Sequence, residues 1–162
     1  MDEVQVGRSA MTAEVAQETL VIGDVTLEDI PQIVALDEEI TGISKPELWY
    51  SYYAPPGRAQ PRWFLVARQG PRVVGYILGE VRAWEFGSPP AGWIFAIGVA
   101  GGHRIGGVGT RLLEEMTKHF RTTGVKIIRT MLHIDDDVLM SFFRAQGMTA
   151  GPFIELEASI DP

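Results

Sequence analysis

One stretch limits this chain more than any other: Val99-Ala100-Gly101-Gly102-His103-Arg104-Ile105-Gly106-Gly107-Val108-Gly109-Thr110. The apolar run Trp93-Ile94-Phe95-Ala96-Ile97-Gly98-Val99 precedes it and reads as a buried strand, apolar on both faces and so central in its sheet. Beyond it, Leu112, Leu113, Met116 and Phe120 recur at helical spacing over Thr110–Arg121, and Glu114 and Lys118 pair on the opposite face. A strand therefore enters a glycine-rich turn that opens an amphipathic helix. The first backbone N–H groups of such a helix have no internal partner, and the helix dipole adds positive potential there. Glycine removes the side chains that would keep a ligand at a distance. The local chemistry is that of an anion site suited to phosphate.

The rest of the chain builds a sheet around that unit. Leu20-Val21-Ile22 reads as a short strand. Thr26-Leu27-Glu28-Asp29 approximates a capping box, and Ile30, Ile33 and Val34 continue at helical spacing, with Pro31 in the first turn. The aromatic and proline-rich segment Thr41–Gln60 holds a second helix start at Pro46-Glu47-Leu48-Trp49-Tyr50. Trp63–Ala67 and Arg72–Arg82 form a hairpin across Gln69-Gly70-Pro71. After the glycine helix, which Gly124 ends, Val125–Leu132 reads as a strand. One of Asp135, Asp136 and Asp137 caps a short helix with Val138, Leu139, Phe142 and Phe143 facing the core, and Phe153–Ile160 reads as a closing edge strand. The expectation is a mixed α/β fold, with a largely antiparallel central sheet flanked by helices. Residues 1–18 read as a flexible tail and 19–162 as a single domain.

Bulk properties exclude several alternatives. A length of 162 residues suits one domain with its own core. The absence of cysteine removes disulfides, thiolate nucleophiles and zinc–cysteine sites, and it fits a cytoplasmic location. No charged start leads into an apolar run, as in a signal peptide, and no apolar stretch is long enough to span a membrane. The net charge of −7, with scattered Lys and Arg, argues against a nucleic-acid partner. It is explained by solubility more readily than by steering of a cationic substrate.

Two familiar phosphate loops fail on spacing. A P-loop needs Lys and then Ser or Thr after its last glycine, but Thr110-Arg111 follows Gly109. A dinucleotide fingerprint beginning at Gly107-Val108-Gly109 would need glycine where Leu112 stands. What is present is Arg104-x-x-Gly107-x-Gly109, which resembles the (Q/R)-x-x-G-x-(G/A) motif of the GCN5-related N-acetyltransferase (GNAT) family. The order of elements across Leu20–Ile160 is similar as well. Ser141-Phe142-Phe143-Arg144-Ala145-Gln146-Gly147-Met148 looks like the family's late helix.

The resemblance implies a GNAT-like acyl-CoA N-acyltransferase fold. It implies acetyl-CoA as cosubstrate, no metal, and direct transfer to a primary amine on a small molecule or a protein. Ile97, Gly98 and Val99 would lie along the pantetheine arm. Arg104, Ile105, Gly106, Gly107, Val108, Gly109 and Thr110 would wrap the pyrophosphate, with Asp136 and Phe143 near the arm. Asp37, Glu38, Trp49 and Tyr53 would border the acceptor. Homodimers are common in the family, and the residues do not decide that point.

Amine acylation must remove a proton from an ammonium and stabilise a leaving thiolate. The resemblance implies a Tyr general acid where Phe143 stands and a Glu base where Trp93 stands, so neither position transfers a proton here. Glu80, on the face shared with Leu78 and Arg82, and His133, after the last inner strand, are the remaining candidates for acid–base work. His103 reads as a neighbour of the phosphate, and Tyr76 as core. The rival expectation is a non-catalytic acyl-CoA-binding module.

Overall fold

The computed structural model describes residues 18–53 and 60–161. The expected tail, save Glu18, and residues 54–59 of the aromatic and proline-rich segment lie outside the described residues.

Among the described residues the main elements are, in order, β1 (Leu20–Asp24), α1 (Ile30–Thr41), α2 (Pro46–Tyr52), β2 (Arg62–Gln69), β3 (Arg72–Arg82), β4 (Ala91–Val99), α3 (Val108–Thr122), β5 (Ile128–Thr130) and α4 (Asp137–Ala145). The strands form one sheet in the order β1-β2-β3-β4-β5. The first four are antiparallel, and β5 joins β4 in parallel.

Each element follows from its residues. Asp29 reaches back to the N–H of Thr26 (2.7 Å), so the chain turns into α1. Gly42 ends that helix at φ 74°, where a residue with a Cβ would be strained. On β2 and β3 successive side chains alternate between two apolar layers. One layer joins Leu65, Ala67, Ile77 and Val81 to Leu112, Met116 and Phe120 of α3. The other joins Val66 and Tyr76 to Ile30, Ile33 and Trp49 of α1 and α2. Burying each large α3 side chain contributes about 2 kcal/mol. α3 approaches the sheet so closely that a Cβ on Gly92 would lie 2.5 Å from Phe120.

Two expectations need correction. The strand expected over Val125–Leu132 forms only at Ile128–Thr130. β4 offers β5 just three paired positions before the two strands part. The strand expected over Phe153–Ile160 does not form, and Ile154, Leu156 and Ile160 are exposed. Its apolar–polar alternation suits a strand, but β5 presents an edge of only ~10 Å to pair with.

Candidate active-site cleft

β4 and β5 are in register from Gly92↔Ile128 to Ile94↔Thr130, and no pairing continues beyond. A bulge lies in β4 at the same level: Leu78 opposes Ala96 and Gly79 opposes Ile94, so Phe95 has no partner. The bulge reverses which way the backbone faces. Before it, the N–H of Gly92 points towards β5 and bonds the carbonyl of Ile127 (2.9 Å). After it, the N–H of Ala100 points to β3 and bonds Val74 (2.9 Å). Because the pattern alternates along a strand, Ile97 and Val99 turn their backbone groups into the gap. The carbonyl of Val99 indeed receives the Nε of Arg104 (3.4 Å).

A cleft of about 370 Å³ occupies this gap. Ile97, Gly98 and Val99 form one wall, and Asp136, Leu139 and Phe142 form the other. Gly107, Gly109 and Thr110 of the glycine loop close the end, with Arg104 beside them.

The loop reaches this position by a turn of 3-10 helix at Gly101–Gly106 and then Gly107 at φ 74°. The left-handed conformation at Gly107 costs a residue with a Cβ about 1–2 kcal/mol. It swings the chain into α3, whose first helical bond runs from the N–H of Arg111 to the carbonyl of Gly107 (3.0 Å). The N–H groups of Val108, Gly109 and Thr110 are left without a helical acceptor, at the positive end of the dipole. A Cβ at Gly106 or Gly107 would meet nothing within 4 Å, so the loop that leads into these amides is open to a ligand. Two side-chain bonds brace the end of the cleft. Gln146 donates to the hydroxyl of Thr110 (3.1 Å), and Asp136 caps α4 by accepting from the N–H of Leu139 (3.0 Å).

Of the residues expected around the cosubstrate, Ile97, Gly98, Val99, Arg104, Gly107, Gly109, Thr110 and Asp136 line the cleft. Four do not. Ile105 is fully exposed and Gly106 is exposed beside it, Val108 is buried in the core, and Phe143 packs into the α3 layer at 4% exposure. Phe142 stands at the wall instead. Ile40, Val138 and Leu139 also line it and were not anticipated. The sequence carries no signal for this: Val138, Leu139, Phe142 and Phe143 make an apolar stripe of ordinary width for a nine-residue helix and read as core.

Asp37 and Trp49 lie inside the protein. Trp49 donates its indole N–H to Asp37 (3.0 Å), Tyr76 donates its hydroxyl (3.2 Å), and Lys45 sits 2.9 Å away. Burial, followed by the charge and hydrogen bond of Asp37, pushes the Tyr76 phenol far above its ordinary range. Glu38 and Tyr53 are exposed on α1 and just after α2. Glu80 is buried and bridges Arg62 (2.6 Å) and Arg82 (2.9 Å). His133 is exposed and contacts Asp135 at 3.7 Å. His103 bonds Gln69 through Nε2 (2.7 Å).

These features define an α/β domain with a cleft between two splayed strands that ends at a glycine-lined helix start, an arrangement suited to a phosphate-bearing ligand. The chain belongs to the acetyltransferase (GNAT) family, whose model matches residues 30–148. No curated protein sequence matches it significantly. Among solved structures, the aminoglycoside acetyltransferase meta-AAC0020 from an uncultured soil metagenomic sample, in complex with sisomicin, superposes with a TM-score of 0.69. It is 16% identical over 88% of this chain and 97% of that one. A transcriptional regulator from Bacillus halodurans C-125 gives 0.72 at 16% identity, covering 88% of this chain and 100% of that one. Aminoglycoside N-acetyltransferase AAC(6')-Iy, solved with CoA, gives 0.72 at 10% identity, covering 88% and 96%. At these identities the likeness is one of fold.

Proposed function

We propose that this protein transfers an acetyl group from acetyl-CoA to a primary amine by direct attack. The observation that carries the reading is the joining of two features in one cleft: free amides at Val108, Gly109 and Thr110, and a β4 edge turned inward at Ile97 and Val99. The first suits a pyrophosphate, with Arg104 adding charge. The second suits the amide-bearing pantetheine arm. The CoA bound to AAC(6')-Iy supports the choice of cosubstrate.

In the reaction, the neutral amine nitrogen bonds to the acetyl carbonyl carbon and the carbon–sulfur bond breaks. The electron pair leaves on the CoA thiolate. The N–H of Ile97, turned into the gap, is placed to bond the developing oxyanion. The amine proton passes to solvent. A thiolate of pKa ~8.5 is a weak enough base to depart without a donor. No covalent enzyme intermediate is required. Glu80 and His133 remain candidates for assisting proton transfer, and Glu38 and Tyr53 for bordering the acceptor.

Phe143 and Trp93 favour a second reading, a module that binds acyl-CoA without turnover. Calorimetry with acetyl-CoA, followed by an acceptor screen that detects free CoA thiol, separates them. Micromolar binding that is abolished in Gly107→Glu/Gly109→Glu, with amine-dependent thiol release, supports transfer. Binding without release under any amine leaves the module. Absence of acyl-CoA binding in the wild-type protein removes both.

A further inference from the structure

Four residues form a row across the sheet: Arg62 on β2, Glu80 on β3, Trp93 on β4 and Arg129 on β5, each directly opposite the next. Directly opposed residues share a face. That face is identified by its neighbours. A Cβ on Gly79 or Gly92 would run into Phe120 of α3, so Glu80 and Trp93, one residue further on, point to the opposite side. Arg82 belongs there too, with its guanidinium 4.8 Å from the Phe95 ring. This is the face on which α1 and α2 lie, and α2 reaches it where Tyr52 stands 5.6 Å from the Arg62 guanidinium. The splay of β4 from β5 begins one pair beyond Trp93 and Arg129. The row therefore lies next to the point where the strands part, just outside the residues that line the cleft, within reach of an acceptor that approaches a thioester held in the gap.

The charges of this face are unequal. Glu80 is shared between Arg62 and Arg82, and Glu85 also pairs with Arg82 (2.9 Å). Arg129 pairs with no carboxylate among the described residues. Its Nη1 donates to the hydroxyl of Ser88, and its guanidinium lies 4.7 Å from the Phe153 ring. Its Nε and Nη2 bond nothing among the described residues, and neither is buried. A half-buried guanidinium, steadied by a ring and a hydroxyl, thus presents an unused two-donor edge, and that geometry matches a carboxylate. The acidic side chain best placed by sequence to attract a cation, Asp37, is already occupied by Lys45, Trp49 and Tyr76.

We infer that the acceptor is an amine that also carries a carboxylate, of the amino-acid class, with its carboxylate held by Arg129 and its apolar part against Trp93 and Phe153. This rests on the N-acetyltransferase reading above and narrows it. Arg129 is a specificity-determining residue and takes no part in bond making.

The test uses the full chain, acetyl-CoA, and matched acceptors: phenylalanine, its decarboxylated counterpart phenethylamine, and kanamycin as a polycation. Wild type should acetylate phenylalanine at least tenfold more efficiently than phenethylamine. Arg129→Gln should raise KM for phenylalanine tenfold or more, with kcat within about twofold. Acetyl-CoA affinity and the phenethylamine rate should not change. A preference for kanamycin or phenethylamine overturns the inference while leaving the N-acetyltransferase reading intact, as does an equal loss on both amines in Arg129→Gln. Should no amine be turned over, saturation-transfer NMR of phenylalanine with the CoA-loaded protein decides. Binding that disappears in Arg129→Gln upholds the carboxylate site, and its absence from wild type overturns it. Failure of acetyl-CoA binding itself speaks against the parent reading instead.

Discussion

The carboxylate of Asp37 accepts a 3.0 Å hydrogen bond from the indole of Trp49, twelve residues further along the chain. That bond and the ion pair from Lys45, just before α2, tie α1 to α2, and Tyr76 ties them to β3 through the same carboxylate. Removing it strands two buried donors, Trp49 and Tyr76, and the half-buried Lys45. Asp37→Ala should cost about 3 kcal/mol of folding stability, the range for breaking a buried, paired charge. Urea unfolding measures this directly. Affinity for acetyl-CoA should change little, because Asp37 is not among the residues lining the cleft. A variant of unchanged stability that had lost acceptor turnover would return Asp37 to an acceptor-binding role.

Glu80 poses a similar question on the opposite half of the same face. Both its oxygens are taken by guanidiniums, one from Arg62 and one from Arg82. Glu80→Gln should destabilise by about 2–3 kcal/mol, since two buried or half-buried cations lose their shared partner. If Glu80 is chiefly a strut, kcat should fall less than tenfold and its pH profile should keep its shape. A loss of a hundredfold or more, together with a missing limb in the pH profile, would show a general base.

Much of this fold could be read directly from the sequence, because its signals are local. β3 runs from Arg72 to Arg82, as the hairpin pattern indicates, and α3 carries the apolar stripe Leu112, Leu113, Met116 and Phe120. The glycine loop could be read for the same reason: a φ of 74° at Gly107 is available to glycine at little cost. Non-local choices were less visible. The pattern Ile154-Glu155-Leu156 suits a strand, yet whether it pairs depends on the edge that β5 offers. The choice between Phe142 and Phe143 depends on how α4 rolls against α3, which adjacent aromatics cannot report. The Arg62–Glu80–Trp93–Arg129 row requires the register of four strands, and no single segment contains that.

Asp29 links stability to pH. Burial pushes its carboxyl up, but hydrogen bonds from Arg68 and Thr26 outweigh this and hold it below the usual carboxylate range. An acid whose folded pKa lies below its unfolded value, ~3.9, stabilises the fold above that value. The contribution is lost as pH falls through the folded pKa. The stability gap between wild type and Asp29→Asn should therefore be constant above about pH 5 and shrink steadily below it. Chemical denaturation at intervals from pH 7 to pH 3 measures the gap, and one independent of pH would contradict the assignment.

Gly98 shows how closely the cleft wall depends on the packing behind it. It sits on β4 between Ile97 and Val99, the residues whose backbone faces the gap, and a Cβ there would lie 2.5 Å from the Tyr76 ring. That ring has nowhere to retreat: its hydroxyl is held by Asp37, and Trp49 packs against it in a T-shaped pair with ring centroids 4.9 Å apart. Gly98→Ala must therefore move β4 rather than Tyr76. Overpacking of this kind costs about 1–3 kcal/mol. The displacement should also weaken acetyl-CoA binding, by about tenfold in calorimetry, because the hydrogen-bonding edge of Ile97 and Val99 moves with the strand. Adding Tyr76→Phe should leave the affinity low, since it removes only the hydroxyl and the ring still occupies the space. Adding Tyr76→Leu opens that space and should restore part of it. A Gly98→Ala protein that bound acetyl-CoA as well as wild type would show that the arm does not run along this edge.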